Sequence, residues 1–245
     1  MNLKVSLVGY GNLAKALHKT FRAQGLQFHQ ILSRSQTLDF QDAERVTSIS
    51  ELDKVDQYWI AVKDDEIENV SQSLSGDSLH LHFSGASPLN ILKSKDKACI
   101  WPMQSFDGEI PIWEEIKTFG SFNNVEIKEK LDLVFKRFKA EILWLGEEEK
   151  TKIHLGATLG NNFVNHLLVE VESLSQESGV DFMVFRNLIQ KTIDSAFENG
   201  PLNSQTGPAK RGDKLSQYRH LDLIKDPGLK SLYKLLSQRI SKTHE

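Results

Sequence analysis

The run Val5-Ser-Leu-Val-Gly-Tyr-Gly-Asn-Leu-Ala14 sets a short apolar strand directly in front of a Gly-x-Gly-x-x-Ala turn and a helix. That is the layout of a dinucleotide-binding βαβ unit. Gly9 allows the tight turn, Gly11 lets the backbone approach a pyrophosphate with no Cβ in the way, and Ala14 lets the helix lie close on the strand. The phosphates would rest on unpaired N–H groups at the helix start, around Asn12 and Leu13, where the macrodipole favours negative charge. Val5, Leu7 and Val8 supply the strand, and Leu13, Ala16, Leu17 and Phe21 follow at helical spacing. The alternative is a glycine-rich turn in some other α/β fold, and the strand-turn-helix context argues against it.

Moving outward, Gly25 stops the helical pattern and Phe28 to Leu32 reads as a second strand, ending in Ser33-Arg34-Ser35. An NAD-binding domain places an acid for the ribose hydroxyls about 20 residues past the glycines. Here an arginine between two serines stands there. A guanidinium grips a 2′-phosphate bidentately and hydroxyls add hydrogen bonds, so the position argues for NADP over NAD. The competing reading is a basic surface loop. Val46 to Ile49 is a third strand candidate, Tyr58 to Val62 a fourth and Leu79 to Phe83 a fifth. Their ends, at Ala61, Val62, Lys63 and Ser84, fall where ligands sit in open α/β sheets, and would receive the nicotinamide. Asp64 and Asp65 read as the favoured acidic start of a helix rather than as a catalytic pair. Trp101 and Phe106, in a strand broken by Pro102, could wall a pocket, but aromatics at this spacing are more often core.

At 245 residues the chain holds one large domain or two modest ones. A 39% hydrophobic, 26% charged composition argues against extensive disorder, and a net charge of −3 gives no general attraction to nucleic acid or anionic membrane. The single cysteine, Cys99, excludes an intrachain disulfide framework and a multi-cysteine metal site, and its apolar neighbours suit a small buried hydrophobe. No secretory signal pattern and no bilayer-length apolar run is present, which makes a soluble cytoplasmic protein the expectation.

Further strand, helix and strand patterns fall at Thr118 to Phe122, Val125 to Lys139 and Glu141 to Leu145. Near Gly146 strand patterns give way to helical ones, so the expected domains are 1–146 and 147–245. One long helix is expected from Glu147 to Ser178, ended by Gly179, and a second from Asp181 to Glu198. A loop from Gly200 to Asp213 and two more helices, parted at Asp226-Pro227-Gly228, complete the chain. Along the long helix Thr158, Asn162, Asn165, His166 and Val169 share a face at spacings of three and four. Buried amides need partners, and a ligand is one candidate; His166 is the best general acid or base in the chain. The competing reading is helix packing with backbone or water as the partners. Thr206-Gly-Pro-Ala-Lys-Arg-Gly-Asp213 either presents charge and N–H groups to an anion or is a helix connection whose glycines supply positive φ.

Together with Ala61-Val-Lys-Asp64, His82-Phe-Ser-Gly-Ala86, Trp101-Pro-Met-Gln-Ser-Phe106, Asn161-Asn-Phe-Val-Asn-His166 and the 206–213 loop, the glycine motif resembles the Rossmann-like proteins that carry the domain of unknown function numbered 2520. The resemblance implies an NADP-binding Rossmann domain, a helical C-terminal domain of the 6-phosphogluconate dehydrogenase-like type, and a homodimer formed through those helices. It groups the chain with pyrroline-5-carboxylate reductase, ketopantoate reductase and β-hydroxyacid dehydrogenases. The last carry Lys-x-x-Asn-Asn on the long helix, where this chain has Thr158-Leu-Gly-Asn-Asn162. The amides are kept and the acid-base lysine is not, which leaves His166 as the replacement. The expected activity is hydride transfer between NADP(H) and a small carbonyl, imine or hydroxy acid held between the domains, with Asn162 and His166 as the catalytic groups. The alternative is a sensor that binds NADP without turnover.

Overall fold

The structure is a computed structural model that describes residues 3–34 and 40–244. The chain forms two compact units, one ending at Gly160 and the other running from Asn161. The first is built on eight strands: β1 (Val5–Val8), β2 (Gln30–Leu32), β3 (Glu44–Val46), β4 (Gln57–Ile60), β5 (Leu79–His82), β6 (Lys97–Pro102), β7 (Thr118–Phe122) and β8 (Ile142–Trp144). Their order is β3-β2-β1-β4-β5-β6-β7-β8. Every neighbouring pair is parallel except β6 with β7. The first six strands thus follow the Rossmann order, in which the chain reverses its direction of travel across the sheet at β1.

Parallel strands covered on both faces are apolar on both, and β1, β2, β4 and β5 are buried along their whole length. The register sets Leu7, Trp59, Leu81 and Ala98 side by side on one face. There α1 (Asn12–Ala23) and α3 (Val125–Arg137) bring Leu17, Phe21, Leu131 and Phe135 into the main core. On the other face α2 (Ile67–Gln72) packs Ile67 and Val70 into a second cluster with Val8 and Ile60. Gly25 ends α1 at φ +66°, and Asn124 starts α3 by accepting the Glu126 N–H at 3.1 Å.

Three elements depart from the sequence reading. The strand expected at Val46 to Ile49 ends at Val46, because the Ser48 side chain accepts the Ser50 N–H and caps a 3₁₀ turn, Ile49–Glu51. The single helix expected from Glu147 to Ser178 is α4 (Glu147–Ala157) and α5 (Val164–Ser178), with a π-helical segment, Thr158–Phe163, between them. The loop expected from Gly200 to Asp213 begins with a short helix, α7 (Pro201–Ser204), which follows α6 (Arg186–Asn199) and has proline at its first position.

The compact units also divide later than Gly146, because α4 is anchored to the sheet. Lys150 is fully buried and donates to the Ser87 carbonyl at 2.8 Å, while Glu147 accepts the Leu89 N–H at 2.9 Å. The sequence shows only a charged helix start there. The second unit consists of α5 to α7 with α8 (Lys214–Leu223) and α9 (Pro227–His244). Among its described residues only Ser175 and Ala209 are buried, whereas Phe197 is 88% exposed. No helix among the described residues is long and apolar enough to cross a membrane.

Candidate functional site

The carboxyl ends of β1, β2, β4 and β5 surround one cavity of about 1120 Å³. The turn after β1 contributes Gly9, Gly11, Asn12 and Leu13; the end of β2 contributes Ser33 and Arg34; β4 contributes Ala61, Val62 and Lys63; β5 contributes Ser84. Ser35 lies outside the described residues. The cavity therefore sits at the crevice between β1 and β4, where the fold opens for a ligand.

The two glycines have different reasons to be there. Gly9 adopts φ +99°, and a Cβ on it would stand 2.4 Å from the Ala61 carbonyl oxygen. The fold itself demands glycine at that position. Gly11 is extended at φ −74°, ψ −173°, and a Cβ there would have nothing within 4 Å. No described residue forbids a side chain at Gly11, so the open space is a cradle. It lies at the N-terminus of α1, which has no side-chain cap and no acid in its first turn. Unpaired N–H groups with an uncompensated dipole attract an anion. The Asn12 amide is turned away to the Phe106 carbonyl at 3.0 Å.

The Arg34 side chain is 80% exposed and its guanidinium lies 3.7 Å from Glu66, a weak surface pair. Thr47 and Ser48 line the same cavity, and the sequence reading missed both. The signal was a pair of hydroxyls directly after Val46, but extending the third strand to Ile49 placed them inside it. Tyr10, Lys15 and Glu66 were missed as well.

The rim at β5 is a buried polar network. The Ser84 hydroxyl donates to Asp64 at 2.7 Å and accepts the Ser87 N–H at 3.0 Å. Asp64 is therefore more than a helix-start acid, since it fixes the Ser84 side chain. The Ser84 N–H donates to Nδ1 of His82 at 3.2 Å, which places the ring hydrogen on Nε2. Burial, then the Lys150 charge, pushes His82 down to about 3, so the ring is neutral. In register with His82 across the sheet are Cys99 and Ser121. Burial pushes the Cys99 thiol up to about 12, which leaves it without nucleophilic character.

His166 and Asn162 belong to the other unit. Asn161 and Asn162 are both exposed, contrary to the buried helix expected, and Asn161 donates to Asn162 at 3.2 Å. The even spacing along one face is also lost, because i→i+5 bonding in the π-helical segment shifts the register after Thr158. The His166 side chain is 66% exposed, with Nε2 3.6 Å from Glu170. In the 206–213 loop, Gly207 and Gly212 take positive φ, Lys210 donates to the Gln205 carbonyl at 2.8 Å, and Asp213 caps α8 through Ser216. Those are the marks of a helix connection.

Residues 123–240 match the family model described as Domain of unknown function (DUF2520). No curated protein matches the sequence. Among solved structures, the chain is similar to a Bacteroides fragilis protein assigned as an NADP oxidoreductase, with 26% identity, 98% of each chain covered and a TM-score of 0.84. A Myxococcus stipitatus imine reductase in complex with NADP+ aligns at 12% identity over 98% of this chain and 92% of its own, with a TM-score of 0.69. An Aspergillus terreus reductive aminase, in complex with NADPH4, cyclohexanone and allyl amine, aligns at 13% identity over 100% and 97%, with a TM-score of 0.72. The DUF2520 match begins in front of α3, so the glycine cradle lies outside it.

Proposed function

We propose that this chain is an NADPH-dependent oxidoreductase acting on a small molecule with a C=O or C=N bond. The observation that carries the reading is the Gly11 cradle at the uncapped start of α1, an opening that the fold does not need and a pyrophosphate does. Bound NADPH supplies a hydride. The protein's part is to hold the phosphates on the α1 N–H groups, to meet the 2′-phosphate with Arg34, and to line the nicotinamide end with Ala61, Val62, Lys63 and Ser84. His166 is the proposed proton donor, oriented by Glu170, and Asn162 a proposed hydrogen-bond donor to substrate. The imine reductase and reductive aminase among the structural relatives make cyclic imines and ketone–amine pairs the first substrates to try.

The working form we propose is a homodimer joined through the helical units. A helical unit in which Ser175 and Ala209 are the only buried side chains among the described residues has little core of its own, and exposed Leu188, Phe197 and Leu223 are the kind of surface that a second copy covers.

The test is the loss of NADPH absorbance with a panel of cyclic imines, and with ketones plus amines. His166→Gln is expected to slow turnover by about 100-fold or more while leaving NADPH affinity within about twofold. Equal turnover in both proteins removes His166 from the reaction. One observation favours a second reading, an NADP-binding sensor: Thr158, which stands where the resemblance to β-hydroxyacid dehydrogenases implies an acid-base lysine, spends its hydroxyl on the His154 carbonyl at 3.1 Å. Tight NADPH binding with no turnover on any substrate is the outcome that reading expects.

A further inference from the structure

Ser84, on the cavity rim after β5, has its polar groups committed to partners within the first unit. Its N–H donates to Nδ1 of His82 at 3.2 Å, and its carbonyl accepts the Cys99 thiol hydrogen at 3.3 Å. Its hydroxyl accepts the Ser87 N–H at 3.0 Å and donates its one hydrogen to Asp64 at 2.7 Å. A ligand at this rim therefore meets the Asp64 carboxylate, and not the hydroxyl hydrogen that Asp64 already holds. Asp64 is exposed and lines the cavity, and Ser84 takes one of the roughly four acceptor sites that a carboxylate offers.

The turn that fixes Ser84 is itself fixed from α4. Lys150, fully buried, donates to the Ser87 carbonyl at 2.8 Å and lies 3.4 Å from Glu147, which accepts the Leu89 N–H at 2.9 Å. An apolar side chain of similar volume would fill the Lys150 position at a lower desolvation cost. Only a donor, however, keeps the Ser87 carbonyl paired. A series of hydrogen bonds thus runs from α4 to the cavity: Lys150 to the Ser87 backbone, Ser87 to the Ser84 hydroxyl, Ser84 to Asp64.

We propose that Asp64 is a cofactor-binding carboxylate for the nicotinamide half of the dinucleotide, and that Lys150 and Ser84 are the positioning residues that aim it. The proposal rests on the reading of the cavity as an NADP site. A carboxylate only accepts, so its counterparts are donors: the hydroxyls of the nicotinamide ribose and the carboxamide N–H. The adenosine half, placed by the same reading at the Arg34 end, makes no use of Asp64.

The experiment measures, by tryptophan quenching on the full chain, the affinity for NADPH and for adenosine 2′,5′-bisphosphate, which keeps the 2′-phosphate and lacks the nicotinamide half. Asp64→Ala is expected to raise NADPH Kd about tenfold or more, the loss that goes with a hydrogen bond to a charged group. If Lys150→Met leaves the competent arrangement about one-tenth populated, it raises NADPH Kd about tenfold as well. Neither variant is expected to change the bisphosphate Kd by more than about twofold. In the Asp64→Ala background, Lys150→Met is expected to add less than about twofold to NADPH Kd, because the group it positions has gone. Ser84→Ala, which breaks the series at its uncharged link, is expected to show the same split between the two ligands and covers the case in which Lys150→Met fails to fold. Equal losses for both ligands, an Asp64→Ala protein that binds NADPH as wild type does, or a Lys150→Met loss of the same size with and without Asp64 would each overturn the proposal while leaving the NADP site standing. A wild type that binds neither ligand would overturn the site and the proposal together.

Discussion

Replacing Gly11 with alanine separates what the fold needs from what a ligand needs. The backbone there is extended, at φ −74°, ψ −173°, which alanine adopts without strain, and the new methyl would have no neighbour within 4 Å. Gly11 is also the residue before α1, where alanine caps less well by roughly 0.5–1 kcal/mol. The stiffer unfolded chain returns about 0.4–1 kcal/mol, so the net change in stability is within about 1 kcal/mol. For a chain of this size that is a Tm shift of no more than about 2–4 °C. Binding is affected very differently. The methyl occupies the space in which a pyrophosphate would approach the helix N-terminus, and loss of one charge-assisted hydrogen bond there is worth about 1.5–3 kcal/mol. NADPH Kd then rises by roughly 10- to 150-fold. Gly9→Ala is the control, because its methyl would meet the Ala61 carbonyl oxygen at 2.4 Å in a backbone with φ +99°. That variant is expected to lose about 2–5 kcal/mol of stability from positive φ and forced backbone movement together. Thermal melts and NADPH titration read both quantities. A folded Gly11→Ala protein that binds NADPH as wild type does would refute the cradle.

Three further outcomes follow from burial. His82 sits at about 3 in the folded protein against 6.5 when free. Between those values the unfolded chain binds the extra proton, so stability is full above about pH 6.5 and declines as pH falls towards 3; denaturant melts at about pH 7 and pH 4.5 should differ by roughly 2–3 kcal/mol from this residue, and His82→Asn should remove most of that difference. Gly85→Ala would place a methyl 2.5 Å from His154 and 2.6 Å from Trp101, and should destabilise the first unit by about 1–3 kcal/mol in the same melts. In sedimentation the protein should run at twice the 27.8 kDa of one chain at micromolar concentration, and a monomer there would contradict the proposed helical contact.

The parts of the fold that were legible in the sequence are those fixed by local chemistry. Apolar Val5, Leu7 and Val8 ahead of a tight turn, helical spacing from Leu13 to Phe21, and glycine at positions 25 and 179 each speak through near neighbours, and each element stands where they indicate. What the sequence hid depends on distant partners. Glu147 reads as part of an acidic helix start and Lys150 carries no signal of its own, yet Ser87 and Leu89, far away along the chain, draw them into the first unit and move the boundary beyond α4. Asn162 and His166 were placed on one face by counting at helical spacing, a count that fails once a π-helical segment intervenes. Tyr10 was passed over because a residue between two glycines carries no signal by itself, and its partners His18 and Asp42 become visible only after folding.

The central claim is a 2′-phosphorylated dinucleotide bound on the glycine turn with Arg34 at its adenosine end. The most direct measurement is the ratio of NADH to NADPH dissociation constants for wild type and Arg34→Ala at one fixed salt concentration. The account predicts a wild-type preference for NADPH of about tenfold or more, reduced to about twofold or less in the variant, since a guanidinium–phosphate pair is among the stronger charge-assisted contacts. Equal affinity for the two nucleotides in the wild type, or a preference that survives the loss of Arg34, would contradict it.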